Sequence, residues 1–324
     1  MAALSRLTTA LSEGLSLGEG PVAVFRPPVG YDVSGVPQAQ ARIVQGFFPD
    51  HIQWQAAGFA MGPGDKPCTA AVVVMPRSKG LARSLVARAC AAAPSGLIVV
   101  DGDKTDGIDS LFREVRKAVG DVQSITKAHG RLFWFPASED LSGWKAPAPV
   151  AGPDGFFTTA GVFSEGGVDK GSAALVRVLP ADITGEVADL GAGWGYLAQH
   201  VLQSDTVSKI DLIEAEALAL DCARLNVTDP RAQFHWADAL TWDGGPYDAV
   251  ISNPPFHTNR TGDPDLGRGF IATAARILKP RGTFYMVANR HLPYEAALAD
   301  KFASVKELDG NGAFKIFQAS RPKR

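Results

Sequence analysis

The sequence predicts an α/β protein made of two tandem Rossmann-like units. Three observations carry this prediction. The chain has 324 residues, more than one domain of ordinary size holds. Strand-like and helix-like segments alternate in both halves, the pattern of parallel sheets. A Pro- and Ala-rich stretch, Trp144-Lys-Ala-Pro-Ala-Pro-Val-Ala-Gly-Pro153, separates the halves. Each proline there fixes its own φ and biases the preceding residue away from helix, so the stretch reads as an extended linker. The boundary falls between Pro136 and Pro153, giving domains 1–145 and 146–324.

In the N-terminal half, Ala70–Met75 is predicted as a buried strand and Leu81–Ala93 as a helix. Gly96–Asp101 follows as a strand and Ile108–Val119 as a helix. In the C-terminal half, Glu186–Leu190, Lys209–Glu214, Gln233–Ala237, Tyr247–Ser252 and Thr283–Ala288 read as strands. Helices are placed between them at Trp194–Gln203, Glu216–Asn226 and Gly267–Leu278. Pro76 and Asp101 stand 25 residues apart at two strand ends, and Asp189 and Glu214 repeat that interval. The match suggests an internal repeat, although any βαβ unit gives a similar spacing.

Composition excludes several classes. Hydrophobic residues at 46% and charged residues at 20% rule out a disordered chain. The net charge of −2 leaves no global positive field to draw in nucleic acid. It splits into 15 basic against 13 acidic residues over 1–150, and 17 against 21 over 151–324. The longest apolar run, Ala70–Met75, is strand-sized, so no membrane span is expected. Glu13 and Glu19 near the N-terminus, without a basic start and apolar block, give no signal peptide. Cys68, Cys90 and Cys222 lie far apart, indicating neither a disulfide framework nor a metal site, and a reducing cytoplasm is the expected compartment.

The strongest local feature of the C-terminal half is Val187-Ala-Asp-Leu-Gly-Ala-Gly-Trp-Gly195. A strand runs into a loop with Gly191, Gly193 and Gly195, and a helix follows. Glycines at such a turn let backbone N–H groups approach a ligand at the carboxyl edge of the sheet. The spacing lacks the third glycine of a dinucleotide fingerprint, and no phosphate-binding G-x-x-x-x-G-K-[ST] occurs. Asp189, just before the loop, would repel a pyrophosphate but suit a cationic amino group. That chemistry favours S-adenosylmethionine, with a structural turn as the alternative. Trp194 inside the loop either covers a ligand or caps the helix.

Two further acids close successive strands. Glu214 can accept ribose hydroxyls, and Asp238 can accept a hydrogen bond from an adenine amino group. A solvated strand end is the alternative for each acid singly. After the fourth strand comes Ser252-Asn-Pro-Pro-Phe-His257. The prolines make Asn253-Pro254-Pro255-Phe256 a rigid corner with few donors of its own. The side-chain oxygen of Asn253 and the carbonyl of Pro254 are then free to accept both protons of a planar amine, with Phe256 as a stacking face. His257 is a lining residue or a base beside the acceptor.

The C-terminal half resembles the class I S-adenosylmethionine-dependent methyltransferases, and among them the ribosomal RNA guanine-N2 methyltransferases of the RsmC/RlmG type. The resemblance begins at Gly161-Val-Phe-Ser-Glu-Gly-Gly-Val-Asp-Lys-Gly-Ser172 and runs through Asp189-Leu-Gly-Ala-Gly193 and Asn253-Pro-Pro-Phe-His257. It continues through Val287-Ala-Asn-Arg-His-Leu-Pro-Tyr294 and Gly312-Ala-Phe-Lys-Ile-Phe317. The last two segments matter because Asn-Pro-Pro-[Phe/Tyr] is shared with DNA adenine and protein glutamine methyltransferases. The resemblance implies a seven-stranded class I methyltransferase sheet, ribosomal RNA or a ribosomal subunit as partner, and Phe163, Asp169 and Gly171 as cofactor-pocket residues. It implies a degenerate methyltransferase-like N-terminal domain that positions RNA, with Arg77-Ser-Lys-Gly80 standing where the glycine loop would be. A protein glutamine or small-amine methyltransferase and a non-catalytic assembly factor are the alternatives. Candidate phosphate contacts are Arg77, Lys79, Arg83, Arg88, Lys127, Arg131, Arg260, Arg268, Arg290, His291, Lys315 and the tail Arg321–Arg324.

Overall fold

The computed structural model describes residues 5–146, 149–255, 264–308, 310 and 312–323. The chain divides into two compact units, Met1–Ala148 and Pro149–Arg324.

The first unit runs α1 (Arg6–Ser12), β1 (Val22–Phe25), β2 (Ala41–Val44), α2 (Phe48–Ala56), β3 (Ala60–Met61) and β4 (Ala70–Val74). It continues with α3 (Lys79–Ala92), β5 (Leu97–Asp103), α4 (Ile108–Val119), β6 (Gln123–Lys127) and β7 (Gly130–Pro136). Its sheet has the order β3-β2-β1-β4-β5-β7-β6. Residues of β1 and β4 are buried on both faces, as strands between two helical layers must be. The two strands read from the sequence in this unit lie within two residues of those observed. What the sequence reading missed is the opening β1–β2 pair and the closing hairpin. β1 and β2 have four residues each, and β1 is bracketed by Pro21 and Pro27, which masks its apolar run.

The second unit begins with the small hairpin β8 (Val150–Ala151) and β9 (Phe157–Thr158), then α5 (Lys170–Val176), β10 (Gly185–Leu190) and α6 (Tyr196–Val201). Next come β11 (Val207–Glu214), α7 (Ala217–Asn226), β12 (Ala232–Trp236), β13 (Tyr247–Ser252) and α8 (Pro264–Ile277). It closes with β14 (Leu278–Asn289), α9 (Glu295–Lys301), β15 (Phe302–Leu308) and β16 (Phe314–Pro322). The sheet order is β12-β11-β10-β13-β14-β16-β15, the seven-stranded sheet that the resemblance implied. In both units five parallel strands are extended by a final pair in which the last strand in sequence runs antiparallel to its neighbours.

The two sheets therefore share one order, element for element, and their registers can be superimposed by pairing alone. Phe25 faces Val44 and Val73, as Leu190 faces Ile213 and Ser252. This corrects the expectation for Arg77–Gly80. That segment follows β4, the counterpart of β13, so it matches the Asn253 corner and not the glycine loop. The counterpart of the glycine loop is Arg26–Gly30, after β1. The 25-residue rhythm had aligned β4 and β5 with β10 and β11, an offset that any pair of successive βα units permits.

Candidate active site

The carboxyl ends of β10, β11 and β13 in the second unit bring Asp189, Glu214 and Asn253 toward one cleft. It is lined by Phe163, Asp169, Ser172, Gly191, Gly193 and Asn253. A wider opening around Asp182, Asp248, Lys279 and Arg281 lies at the opposite, amino-terminal edge of the strands. Lys279 and Asp248 pair there at 2.8 Å, and the sheet's loop glycines are absent from it.

Asp189 occupies a strand interior that sheet packing would give to an apolar residue. It is 0% exposed between Ala188 and Leu190, and neither carboxylate oxygen has a hydrogen-bond partner among the described residues. Burial pushes its carboxyl up to about 8, and the neighbouring Glu214 charge adds to the rise against the pull of the Ala198 amide. An orphaned buried carboxylate costs several kcal/mol if charged, so the group rests protonated and a cationic partner would stabilise its ionised form.

The loop after it turns through left-handed backbone at Gly191 (φ 72°), Gly193 (φ 56°) and Gly195 (φ 91°). A side chain at Gly195 would also meet Val227 at 2.8 Å. This turn delivers the Gly193 N–H to Glu214 Oε2 at 2.8 Å, while Glu216 N–H donates to Oε1 at 2.8 Å. Burial raises the Glu214 pKa despite these two donors. Each oxygen accepts one of these bonds, and a carboxylate oxygen has capacity for a second. Asp238 lies past the end of β12, where its Oδ1 accepts from Leu240 N–H at 2.9 Å. The structure thus gives Asp238 a local turn bond at the strand end.

Trp194 is 4% exposed and donates from Nε1 to the Phe163 carbonyl at 3.0 Å. It lines the cleft and is not the N-cap of α6, which is Gly195. With Phe156 against its ring at 5.0 Å, it pins the 156–168 segment onto the glycine loop. Asn226, which the sequence reading overlooked, strengthens the tie by donating to the carbonyls of Phe157 and Trp194. Phe163 is held by its backbone and leaves a ring that is 61% exposed at the rim of the cleft.

The corner is described as far as Pro255; Phe256, His257 and Arg260 lie outside the described residues. Ser252 Oγ donates to the Leu190 carbonyl at 2.7 Å, locking the end of β13 to the end of β10. Asn253 then donates from Nδ2 to Asp169 Oδ2 and to Ser172 Oγ, each at 2.8 Å. Its Oδ1 is buried and has no partner among the described residues. Pro254 is buried and Pro255 exposed. Asp169 also caps α5 through Ser172 N–H at 2.8 Å, so it sits against the corner rather than beside Asp189's loop alone. Ser172 was not singled out from the sequence. Its place three residues after a capping Asp, D-x-x-S, was the available signal.

The basic candidates are mostly engaged within the chain. Lys79 and Arg83 pair with Glu114, Arg77 with Asp106, Arg131 with Asp109, Arg268 with Asp265, Arg290 with Glu307 and Lys315 with Glu295. Among the described residues no three His, Cys, Asp or Glu side chains converge as a metal site would require, and no helix is long and apolar enough to cross a membrane.

The methyltransferase small domain model matches residues 155–318. Two curated relatives named ribosomal RNA small subunit methyltransferase C are similar over 267 residues. That of Shewanella pealeana is 32% identical and that of Shewanella loihica 30%, each alignment covering 79% of this chain and 78% of the relative. The chain belongs to this methyltransferase family. A solved structure of the Thermus thermophilus 16S rRNA N2 G1207 methyltransferase, in complex with S-adenosylmethionine and guanosine, shares the fold of the family member described here. The TM-score is 0.82 at 22% identity, covering 98% of this chain and 92% of that one.

Proposed function

We propose that the protein transfers a methyl group from S-adenosylmethionine to the exocyclic N2 amine of a guanine in ribosomal RNA. The observation that carries this reading is the pair of buried, unpartnered polar groups at the carboxyl ends of the adjacent strands β10 and β13, the Asp189 carboxyl and Asn253 Oδ1. The residues fit the donor. Asp189 matches the cationic methionyl end, Glu214 has acceptor capacity beyond its two backbone bonds for ribose hydroxyls, and Gly191 and Gly193 leave room for close approach. When bound, S-adenosylmethionine supplies an already activated methyl group on a sulfonium.

The chain's own contribution is placement and partial charge. Asn253 Oδ1 accepts one amine proton, and the Pro254 carbonyl is the second acceptor that the corner offers. Holding both protons turns the nitrogen lone pair out of the plane they define and toward the donor side of the cleft. As positive charge develops on nitrogen, these acceptors strengthen, which lowers the barrier without a strong base. A guanine inside a helix cannot reach such a cleft, so the base is taken from its stack at a cost of a few kcal/mol. Phe256 is assigned the stacking face. The N-terminal unit is assigned a supporting role in holding the RNA, in keeping with its +2 balance. A ribosomal RNA substrate also implies action in the cytoplasm.

The experiment offers methyl-labelled S-adenosylmethionine with ribosomal subunits from a strain lacking the gene. Label recovered as N2-methylguanosine is the expected result. Label in protein, in another nucleoside or nowhere overturns the reading.

A further inference from the structure

Resting on the amine-methylation reading above, a further role is visible in how Asn253 is held. A carboxamide is nearly symmetric in shape, and nothing in the Ser252-Asn-Pro-Pro backbone tells its oxygen from its nitrogen. If the NH₂ faced the acceptor cleft, it would repel an incoming amine instead of accepting its protons. Something outside the motif must therefore set the sense of this amide.

The structure shows what does. Both Nδ2 hydrogens are taken, one by Asp169 Oδ2 and one by Ser172 Oγ, each at 2.8 Å. An ionised carboxylate can only accept. Turning the amide over would set Oδ1 against Asp169 and leave both hydrogens without these partners. Asp169 is itself fixed, because the same Oδ2 accepts from Ser172 N–H at the start of α5. Gly171 makes the arrangement compact: a side chain there would meet Asp169 Oδ2 at 3.0 Å and the Phe314 ring at 3.2 Å. Ser172 is 8% exposed, so water does not readily substitute for its hydroxyl.

We propose that Asp169 and Ser172 are positioning residues that fix the sense of the Asn253 amide, so that the site presents oxygen to the acceptor and selects substrates that bring an amine. Asp169, expected from the family resemblance as a cofactor contact, acts in this proposal through Asn253. Ser172→Ala is the cleaner probe, since the α5 cap uses the Ser172 backbone N–H and survives the change.

For Ser172→Ala, kcat for methyl transfer to ribosomal RNA is expected to fall about 10-fold, with KM for donor and RNA nearly unchanged. Asn253→Asp alone sets two carboxylates together and is expected to lose about 100-fold in kcat. Donor binding by calorimetry and the circular dichroism spectrum confirm that each variant is folded. An unchanged kcat for Ser172→Ala, with or without a raised donor KM, overturns the proposal.

A second readout needs no turnover. The Asn253 side-chain amide protons, followed by nitrogen-15 NMR, are expected to exchange slowly in the native protein and faster in Ser172→Ala. Fast exchange in the native protein, or no change in the variant, also overturns it. If the native enzyme fails to methylate ribosomal RNA, the functional reading fails while these protons still decide whether the clamp exists.

Discussion

The two units are one design with opposite outcomes at the same edge of the sheet. Their shared register aligns Val24 with Asp189, Arg26 with Gly191, Gln45 with Glu214 and Val74 with Asn253. The ends of the turn are alike in both, although Gly193 at φ 56° is matched by Pro28, whose ring holds φ negative. Arg26 stands at φ 55° where Gly191 stands at 72°, and Gly30 at 85° where Gly195 stands at 91°. Arg26 N–H donates to Val44 O as Gly191 N–H donates to Ile213 O. What changes is the chemistry at each ligand-facing position: an orphaned acid becomes valine, and the orphaned amide becomes valine. At this edge of the first unit Tyr31 OH and Arg6 Nε both donate to the buried Asp101, so its acid has internal partners. Turn geometry can outlast function, because it is held by main-chain bonds, whereas buried unpartnered acceptors persist only where a ligand repays their desolvation.

The largest test of this contrast is the pair Asn253→Ala and Val74→Ala. The first removes the acceptor and is expected to lower kcat by about 100-fold or more, with donor affinity little changed. The second removes partly buried methyl groups, costing about 1 kcal/mol of stability, with kcat expected to stay within about 2-fold. Steady-state kinetics and thermal melts on both variants check this. A comparable loss of kcat in Val74→Ala would break the assignment of activity to one unit.

Next in size is Asp189→Asn. Donor affinity is expected to fall about 100-fold, since the partner of the cationic group is lost. Stability moves the other way. The folded carboxyl titrates at about 8 and the unfolded one near 4, so between those values the folded state holds a proton that the unfolded state has released. This group's contribution to stability is complete below pH 4 and falls as pH rises toward 8. The variant should therefore gain in Tm on the native protein as pH rises from 5 to 8, and a gap that narrows over that range would refute the account.

The same carboxyl predicts how donor affinity depends on pH. Below pH 8 the free protein holds Asp189 protonated, while a cationic ligand needs it ionised. Affinity for S-adenosylhomocysteine should rise by up to about 10-fold per pH unit from 6 to 8 and then level off. Calorimetry in buffers of different ionisation heat should show a proton released on binding. Affinity that is flat across this range would place the ligand's charge elsewhere.

Much of this was legible in the sequence, for physical reasons that also explain the gaps. Val187–Gly195 and Ser252–Pro255 announce themselves because a buried acid, positive-φ glycines and paired prolines are costly outside a site. The roles of Trp194, Asn226 and Ser172 were not legible. Each acts through a hydrogen bond to a segment distant in sequence, and periodicity carries no record of such partners. The alignment of the two halves failed for a related reason. Val22–Phe25 is a four-residue strand flanked by prolines, so the repeat appeared to begin three strands too late.

The finest contrast lies between Glu214 and Gln45, which do the same structural work with different atoms. Glu214 accepts from the loop through Gly193 N–H and from Glu216 N–H two residues on. Gln45 accepts from Phe47 N–H two residues on, but toward the loop its Nε2 donates to the Pro27 carbonyl at 2.9 Å. The loop of the first unit carries Pro27 and Pro28, which have no N–H to give, so the strand end must donate instead. Gln45→Glu would face a carboxylate to that carbonyl in a side chain only 7% exposed. We expect a loss of about 1–3 kcal/mol in stability with kcat and donor affinity unchanged. Glu214→Gln would turn an NH₂ toward one of two backbone donors, with a similar loss of stability and a donor affinity about 10-fold weaker. Equal stability losses with donor binding affected in only one variant would show that the bond is structural in both units and serves a ligand in one. If Gln45→Glu instead weakened donor binding, the first unit would have kept a part in the site that its other substitutions deny it.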